Sequence, residues 1–444
     1  MSQQPAVAAA PPTAAGPAAY GIRPSAPAPA ERSWLRELFA GTPGRMRLFA
    51  ALASLAAVVF GLVGAWTLWS SAASLGKAEA NTTQVVRVQA IVADLLRADA
   101  DATNAFLVGG LEDPAQRADY EDAMGRVATA IATAAQAQPA DGRALAALNV
   151  AVQDYAALVE QARAYNRQGL PVGAQYLTTA SDGLRTTTLP ILESLRVANT
   201  DRATGEFAAA GGIWVLLVVG LIAVLAITRV AVWLAGRTHR RFNVGLSAGH
   251  LLVIAALVVG VVILSGIGGE VRRIQDRQFA ATLALTTARS AAYDARANES
   301  LGLIARGQAS VKREPAWKSA SAEVTTQLES LSTAIPRPAG GTDLAAAWKA
   351  YTVAHAEVRA LDDSGRWDEA VAKATAATES PRTSFAAFDT ASATELAGLQ
   401  QALATDTGAP TGRALATAVA VLLAGLAAAA LASRGIAQRV EEYR

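Results

Sequence analysis

The sequence predicts an all-α membrane protein in which four transmembrane helices carry two tandem extracytoplasmic four-helix bundles. Three observations support this: four long apolar stretches, two helix-rich segments of about 134 and 144 residues between them, and arginine concentrated in the remaining short segments. A helix of about 20 mostly apolar residues is long enough to cross the hydrocarbon core of a bilayer. The 444 residues therefore divide into membrane spans and large polar loops.

The four membrane spans are predicted from uninterrupted apolar sequence. They are TM1 at 48–72, TM2 at 207–233, TM3 at 248–269 and the alanine-rich TM4 at 413–433. A secretory signal peptide is the alternative interpretation of the first stretch. Its apolar run is longer than the usual core of about 7–15 residues, and a long tail precedes it, so we favour a membrane span. Gly61 with Ala65, and Gly425 with Ala429, have the spacing of small residues at helix contacts.

The distribution of charge predicts which side of the membrane each segment faces. The segments outside the two large loops contain 13 basic and four acidic residues. Loop 73–206 contains 11 basic and 16 acidic residues, and loop 269–412 contains 15 and 17. Arginine and lysine are enriched in short cytoplasmic segments. We therefore expect both termini and the link at 234–247 in the cytoplasm of a multi-pass plasma-membrane protein.

Residues 73–206 (bundle 1) and 270–412 (bundle 2) are each predicted to form a four-helix bundle. Apolar residues recur at spacings of three and four from Val85 to Phe106, which indicates a helix with one buried face. The helices of bundle 2 are predicted at about 270–306, 314–334, 342–364 and 366–406, and bundle 1 follows the same plan. Pro190 is expected to kink the last helix of bundle 1.

A shift of 196 residues aligns the last two helices of both bundles without a gap. The paired residues include Tyr155 with Tyr351, Arg163 with Arg359 and Gly169 with Gly365. Chance matching of two alanine-rich segments is the alternative explanation. The matched tyrosine, arginine and helix-ending glycine favour an internal repeat.

The segments expected in the cytoplasm are short. Residues 1–31 form an alanine- and proline-rich tail that is predicted to be disordered, and residues 32–47 form an amphipathic juxtamembrane segment. The link 234–247 is basic, and the last segment is 434–444. The candidate contacts to lipid or to a cytoplasmic partner are Trp34, Leu35, Leu38, Arg237, Arg240 and Arg241. We expect no kinase or cyclase in these segments, so an inward signal would need a separate soluble protein.

The residue types disfavour enzymes, metal sites and nucleic-acid binding. The absence of cysteine excludes disulfides, zinc–thiolate sites and cysteine nucleophiles. The histidines are not at metal-ligand spacing, and no Walker loop, G-x-S-x-G or H-E-x-x-H motif occurs. A net charge of +2 disfavours a nucleic-acid binder. We predict a protein that is not an enzyme and has no cofactor, and we expect His355 to be an ordinary surface or seam residue.

Polar residues within the predicted helix seams are the candidate contacts to a ligand or partner. The first bundle contributes Asp99 and Asn104, and the second contributes Thr286, Ser290, Asp294 and Asn298. A polar layer that fixes helix register is the alternative interpretation. No acidic residue lies within the four spans, which disfavours ion-coupled transport.

Tandem extracytoplasmic four-helix bundles, each flanked by two membrane helices, resemble the sensory domains of chemoreceptor-type proteins. The four spans, the Pro/Ala-rich tail and the bias towards arginine and alanine narrow this to a resemblance to actinobacterial GlnX-like membrane signalling proteins. The resemblance covers about residues 32–444, rests on architecture, and carries over no functional residue. It implies an extracytoplasmic amino-acid-binding lipoprotein as input and a cytosolic Ser/Thr kinase of the protein kinase G type as output. Unlike chemoreceptors, the sequence shows no HAMP-like or signalling coil.

Three functions remain open at this point. The first is a transmembrane signal relay that senses aspartate, glutamate or glutamine through the lipoprotein. The second is a direct small-molecule sensor with its ligand in a polar layer of a bundle. The third is a structural or transport-associated membrane subunit. Contacts with membrane lipids are expected in each case, and a homo-oligomer is possible.

Overall fold

The computed structural model describes residues 41–108, 112–210, 212–238, 243–306, 308–335 and 343–441. The predicted tail at 1–31 and the candidates Trp34, Leu35, Leu38, Arg240 and Arg241 lie outside the described residues. Almost all of the described ranges are helical, and four helices are long and apolar enough to cross a membrane. The predicted all-α membrane fold is therefore confirmed.

The helices are numbered here in chain order. They are α1 (Gly41–Val108), α2 (Pro114–Ala137), α3 (Gly142–Arg167), α4 (Val172–Gly183), α5 (Leu189–Ala209), α6 (Ile213–Thr238), α7 (Val244–Ile274), α8 (Ala280–Ala305), α9 (Gln308–Val311), α10 (Glu314–Ala334), α11 (Leu344–Asp363), α12 (Trp367–Thr375) and α13 (Pro381–Glu441). A π-helical turn at Leu184–Thr188 joins α4 to α5, and another at Gln275–Phe279 joins α7 to α8. Each of these pairs therefore continues as one helical rod.

Two very long helices connect the apolar and polar parts of the molecule. Helix α1 contains 68 residues and α13 contains 61, which corresponds to lengths of roughly 100 and 90 Å at about 1.5 Å per residue. The uncharged stretch between Arg47 and Lys77 and the bundle seam from Val85 to Phe106 belong to the same helix, α1. A displacement of the seam is therefore passed directly to the apolar part.

Glycine sets the closest approach of the membrane helices. A Cβ atom added to Gly425 of α13 would lie 2.6 Å from the Cα atom of Gly61 in α1. A Cβ atom added to Gly245 of α7 would lie 2.6 Å from the carbonyl oxygen of Leu431 in α13. Both distances are shorter than van der Waals contact, so α13 packs backbone to backbone against both neighbours. Small residues permit such close packing in membranes.

The two bundles share one apolar core because α1 and α8 pack along each other at its centre. Bundle 1 consists of the outer part of α1 with α2 to α5, and bundle 2 consists of α8, α10, α11, α12 and the outer part of α13. The buried cluster runs from Val88 and Leu95 on α1 to Leu285 and Ala292 on α8, and on into bundle 2. Bundles that are tandem in sequence are therefore side by side in space.

One local prediction differs from the structure. The last helix of bundle 2, expected at 366–406, is interrupted after Thr375 and restarts at Pro381, which lacks a backbone N–H and is favoured at a helix start. Helix α13 then continues without a break through Pro410 to Glu441. Pro190, where a kink is expected, lies in the first turn of α5, next to the π-helical turn that ends at Thr188.

We predict that Gly425→Ala separates α1 from α13. The added methyl group would meet the backbone of α1, and overpacking of this kind usually costs about 1–3 kcal/mol. The measurement is the thermal unfolding of the purified full chain in detergent, where a lower Tm is expected. Gly412→Ala is the matched control in the same helix, because a Cβ atom there meets nothing within 4 Å. Equal Tm values for both variants would contradict the backbone contact.

Candidate functional site

Asp99, a predicted candidate, is the centre of a buried polar cluster in bundle 1. Its carboxylate is fully buried and accepts hydrogen bonds from Tyr155 Oη at 3.3 Å, Ser181 Oγ at 2.7 Å and Arg185 Nη1 at 2.9 Å. Helices α1, α3 and α4 and the π-helical turn after α4 each supply one of the four residues. Burial and the charge of Asp99 raise the pKa of Tyr155 well above its usual value, so the tyrosine remains a donor.

Arg185 connects this cluster to bundle 2. Besides its bond to Asp99, the guanidinium donates from Nε to Asp294 Oδ1 at 2.8 Å, and Asp294 is also a predicted candidate. Burial opposes the charge of Arg185, but the two carboxylates outweigh it and hold the pKa of Arg185 above its usual range. The cation is therefore shared between α1 and α8. Asp99, Arg185 and Asp294 form what we call the interbundle bridge.

Further polar contacts join the bundles. Arg296 on α8 donates from Nη2 to Asn104 Oδ1 on α1 at 2.9 Å, which places a third predicted candidate at the interface. Arg296 also pairs with Glu299 within α8. Nearer the surface, Arg313 just before α10 donates from Nη1 to Asp182 Oδ1 of α4 at 2.9 Å. Several arginine side chains therefore connect the two bundles.

Glu299 has the same position in bundle 2 that Asp99 has in bundle 1. Its carboxylate is buried and accepts a hydrogen bond from Tyr351 Oη at 3.2 Å, and His355 Nδ1 lies 2.7 Å from its Oε2 atom. Tyr155 and Tyr351, which the 196-residue shift pairs, therefore both donate to a buried carboxylate on the first helix of their own bundle. The corresponding tyrosines make the same kind of contact in both bundles.

His355 lies in the seam of bundle 2 and is buried. Its ring stacks on Trp317 with 3.6 Å between the centroids, and Nε2 lies 3.4 Å from Glu314 Oε2. Burial opposes protonation, but the nearby carboxylates of Glu299 and Glu314 outweigh it, so the pKa of His355 lies above its usual value. The histidine, which was expected to be an ordinary surface or seam residue, is thus held between two carboxylates in the seam.

The remaining candidates do not join these clusters. Thr286 and Ser290 donate to carbonyl oxygens one turn earlier in α8, at 2.7 and 3.0 Å, and Asn298 Nδ2 donates to the carbonyl of Asp294 at 2.8 Å. Arg237 is exposed near the end of α6. Across the described ranges, no group of three or more His, Asp or Glu side chains has the arrangement of a metal site.

Sequence reasoning did not single out the basic residues that complete the clusters. Arg185, Arg296 and His355 lie among many other polar residues of the bundles, and their partners are 86, 192 and 56 residues away in the chain. Tyr155 and Tyr351, which match at the same place in both halves, were the sequence feature that could have located these clusters. A buried tyrosine needs a hydrogen-bond acceptor, and in both bundles that acceptor is a carboxylate.

We predict that Arg185→Met destabilises the protein more than the same substitution of an arginine nearer the surface does. Removing the cation leaves Asp99 and Asp294 without their shared partner, and breaking a buried ion pair costs about 3–5 kcal/mol. Arg196→Met is the control, because its pair with the exposed Glu193 is expected to contribute only about 0–1 kcal/mol. Thermal unfolding of both full-length variants at pH 7 measures the difference. Equal stabilities would show that the bridge is unimportant.

We predict that His355 makes stability fall as the pH rises above about 7. A histidine whose pKa is raised on folding stabilises the protein fully below its unfolded pKa, about 6.5, and loses this contribution as the pH passes its folded pKa. Burial also raises the pKa of Asp101 to about 7, so this carboxyl makes stability fall as the pH rises from about 4 to 7. The test is therefore restricted to pH 7–9. Over that range the Tm should fall less for His355→Gln than for the unmodified chain. Parallel pH profiles would contradict the prediction.

The comparisons with known proteins agree with a sensory role for bundle 1. No curated protein and no solved structure matched this chain. Residues 74–208 match the family model described as the actinobacterial sensor domain, a range that begins in α1 and ends in α5 and so coincides with bundle 1. The match supports an actinobacterial sensor protein, built as a multi-pass membrane protein with its sensor domain in bundle 1.

Proposed function

We propose that this protein is a non-enzymatic transmembrane signal relay for extracellular amino-acid availability. A solute-binding lipoprotein loaded with aspartate, glutamate or glutamine docks on the outer bundles, and the inner segments pass the signal to a soluble Ser/Thr kinase of the protein kinase G type. The observation that carries the relay is the continuity of α1, which runs as one helix from the apolar stretch into the sensor domain and ends at Val108.

The packing supports a relay between the two halves of the chain. At its outer end α1 is held to α8 through the interbundle bridge, and in its apolar part it crosses α13 at Gly61 and Gly425. Helix shifts of about 1–2 Å are sufficient for signalling across interfaces. A partner that moves one bundle relative to the other therefore acts on α1 in the membrane part.

The direction of the signal and the partners rest on the charge pattern and on the resemblance. Excess arginine in the short segments favours an inward-facing position for them, with the acidic bundles outside. The resemblance to GlnX-like proteins supplies the lipoprotein and the kinase.

We predict that deleting the gene abolishes amino-acid-dependent phosphorylation of the kinase's targets. Re-expression of the unmodified chain and of Arg196→Met should restore the response, whereas Arg185→Met, expressed at equal membrane level, should restore it poorly because the bridge is broken. The measurement is target phosphorylation with and without added glutamate and aspartate.

Phosphorylation that is unchanged by the deletion would contradict the relay. Loss of uptake or of envelope integrity with normal kinase signalling would favour a structural or transport-associated subunit instead. Restoration of the response in cells that lack the lipoprotein would favour a direct sensor.

A further inference from the structure

Bundle 1 contains a cavity at its end farthest from the membrane part. It is formed where α1 ends, α2 begins and α3 ends, and its volume is about 300 Å³. This is at the lower end of the range, about 300–1,000 Å³, in which small-molecule sites are found. We propose that this distal cavity directly binds a small molecule bearing a carboxylate, as an input separate from the lipoprotein.

The lining combines an apolar floor with cationic walls. Ala102, Ala105, Phe106, Val159, Ala162 and Leu177 form the floor. Three arginines and one glutamate, Arg117, Arg163, Arg167 and Glu112, supply the charges, and Asn166 adds an amide. The formal charge of the lining is therefore positive. A planar guanidinium matches a carboxylate with two parallel hydrogen bonds, so the recognised group is an organic acid or an amino acid.

The arginines differ in how firmly they are held. Arg163 is almost buried, donates to Glu112 at 2.9 Å and to Glu160 at 2.8 Å, and lies 4.1 Å above the ring of Tyr120. It is a fixed wall of the cavity. Arg167, one turn further along α3, makes no side-chain hydrogen bond to any residue that the structure describes, and it is exposed at the rim. Arg117 is likewise paired, with Glu112, Glu121 and Glu160. Among the described residues, Arg167 is therefore the lining arginine without an ion pair, and its position at the rim suits the capture of an anionic group.

In bundle 2 a larger side chain stands at the position that Val159 holds in bundle 1. The 196-residue shift pairs Val159 with His355 and Arg163 with Arg359. In bundle 2 His355 stacks on Trp317, and both side chains are buried. In bundle 1 the smaller Val159 lines the distal cavity. A valine at this position leaves more room beside α3 than a histidine would.

The cavity is also close to the interbundle bridge. Phe106 is two turns beyond Asp99 on α1, and Leu177 is one turn before Ser181, which donates to Asp99. A ligand in the distal cavity would therefore touch the same helices that hold the bridge. Binding itself does not depend on the relay, so a failure of the relay experiment would leave this proposal standing, and the reverse is also true.

The test is binding of small acids to the purified full chain in detergent without any lipoprotein. The probes are L-glutamate, L-aspartate and succinate, measured by calorimetry, with cadaverine as a cationic comparison. We expect saturable binding of at least one acid and none of cadaverine. Absence of saturable binding of all three acids up to millimolar concentration would overturn the proposal.

Two variants locate the site. Arg167→Gln removes the rim cation without disturbing a buried pair and should weaken binding about tenfold or more, since a hydrogen bond to a charged group contributes about 1.4 kcal/mol or more. Val159→Phe fills the cavity and should abolish binding. Arg143→Gln, exposed at the other end of α3, is the matched control and should bind normally. Unchanged affinity for Arg167→Gln, which leaves the core intact, would place the acid elsewhere and overturn the proposal whether or not the Val159 variant folds.

Discussion

The position of one partly buried cation determines how the two bundles meet. Arg185 is held where little water can solvate it, and a charge in such a place is tolerated only with carboxylates and hydrogen-bond acceptors around it. Asp99 and Asp294 supply these from the two central helices. Apolar side chains alone would allow α1 and α8 to pack in several registers, whereas a polar layer of this kind selects one. The shared core therefore has a single alignment.

The same need for charge pairing is met differently in the two bundles. In bundle 1 the carboxylate of Asp99 is neutralised by an arginine that also reaches the neighbouring bundle. In bundle 2 Glu299 is surrounded by groups of its own bundle, and the stacked ring of His355 fills the space beside it. The two bundles thus neutralise their buried carboxylates differently: Asp99 shares its arginine with the neighbouring bundle, whereas Glu299 finds its partners within its own bundle.

Features that depend on neighbouring residues could be predicted from the sequence, whereas features that depend on residues far apart in the chain could not. The membrane helices and the seam of α1 follow from hydropathy over neighbouring residues, and the fold class is confirmed. Asp99 and Asp294 stood out because a carboxylate on an apolar stripe is unusual. Arg185 did not, because arginine is ordinary on a helix surface and only the packing of α1 against α8 brings its partners together. Pro410 is a second case in which local sequence is not sufficient. A proline usually indicates a helix end, but α13 continues through Pro410.

The two ends of α1 restrict its motion in complementary ways. At Gly61 and Gly425 the helices touch through backbone atoms, so α1 cannot move closer to α13, and moving apart would lose the dense contact that holds membrane helices together. A slide or rotation equivalent to about 1–2 Å is small compared with the rise of about 5.4 Å per helical turn, so it keeps the two glycines facing each other. At the outer end, the interbundle bridge holds α1 to α8 through long arginine side chains, which can follow a small shift by changing their rotamers. The proposed relay would therefore use a piston or rotation of α1, since these are the motions that both contacts permit.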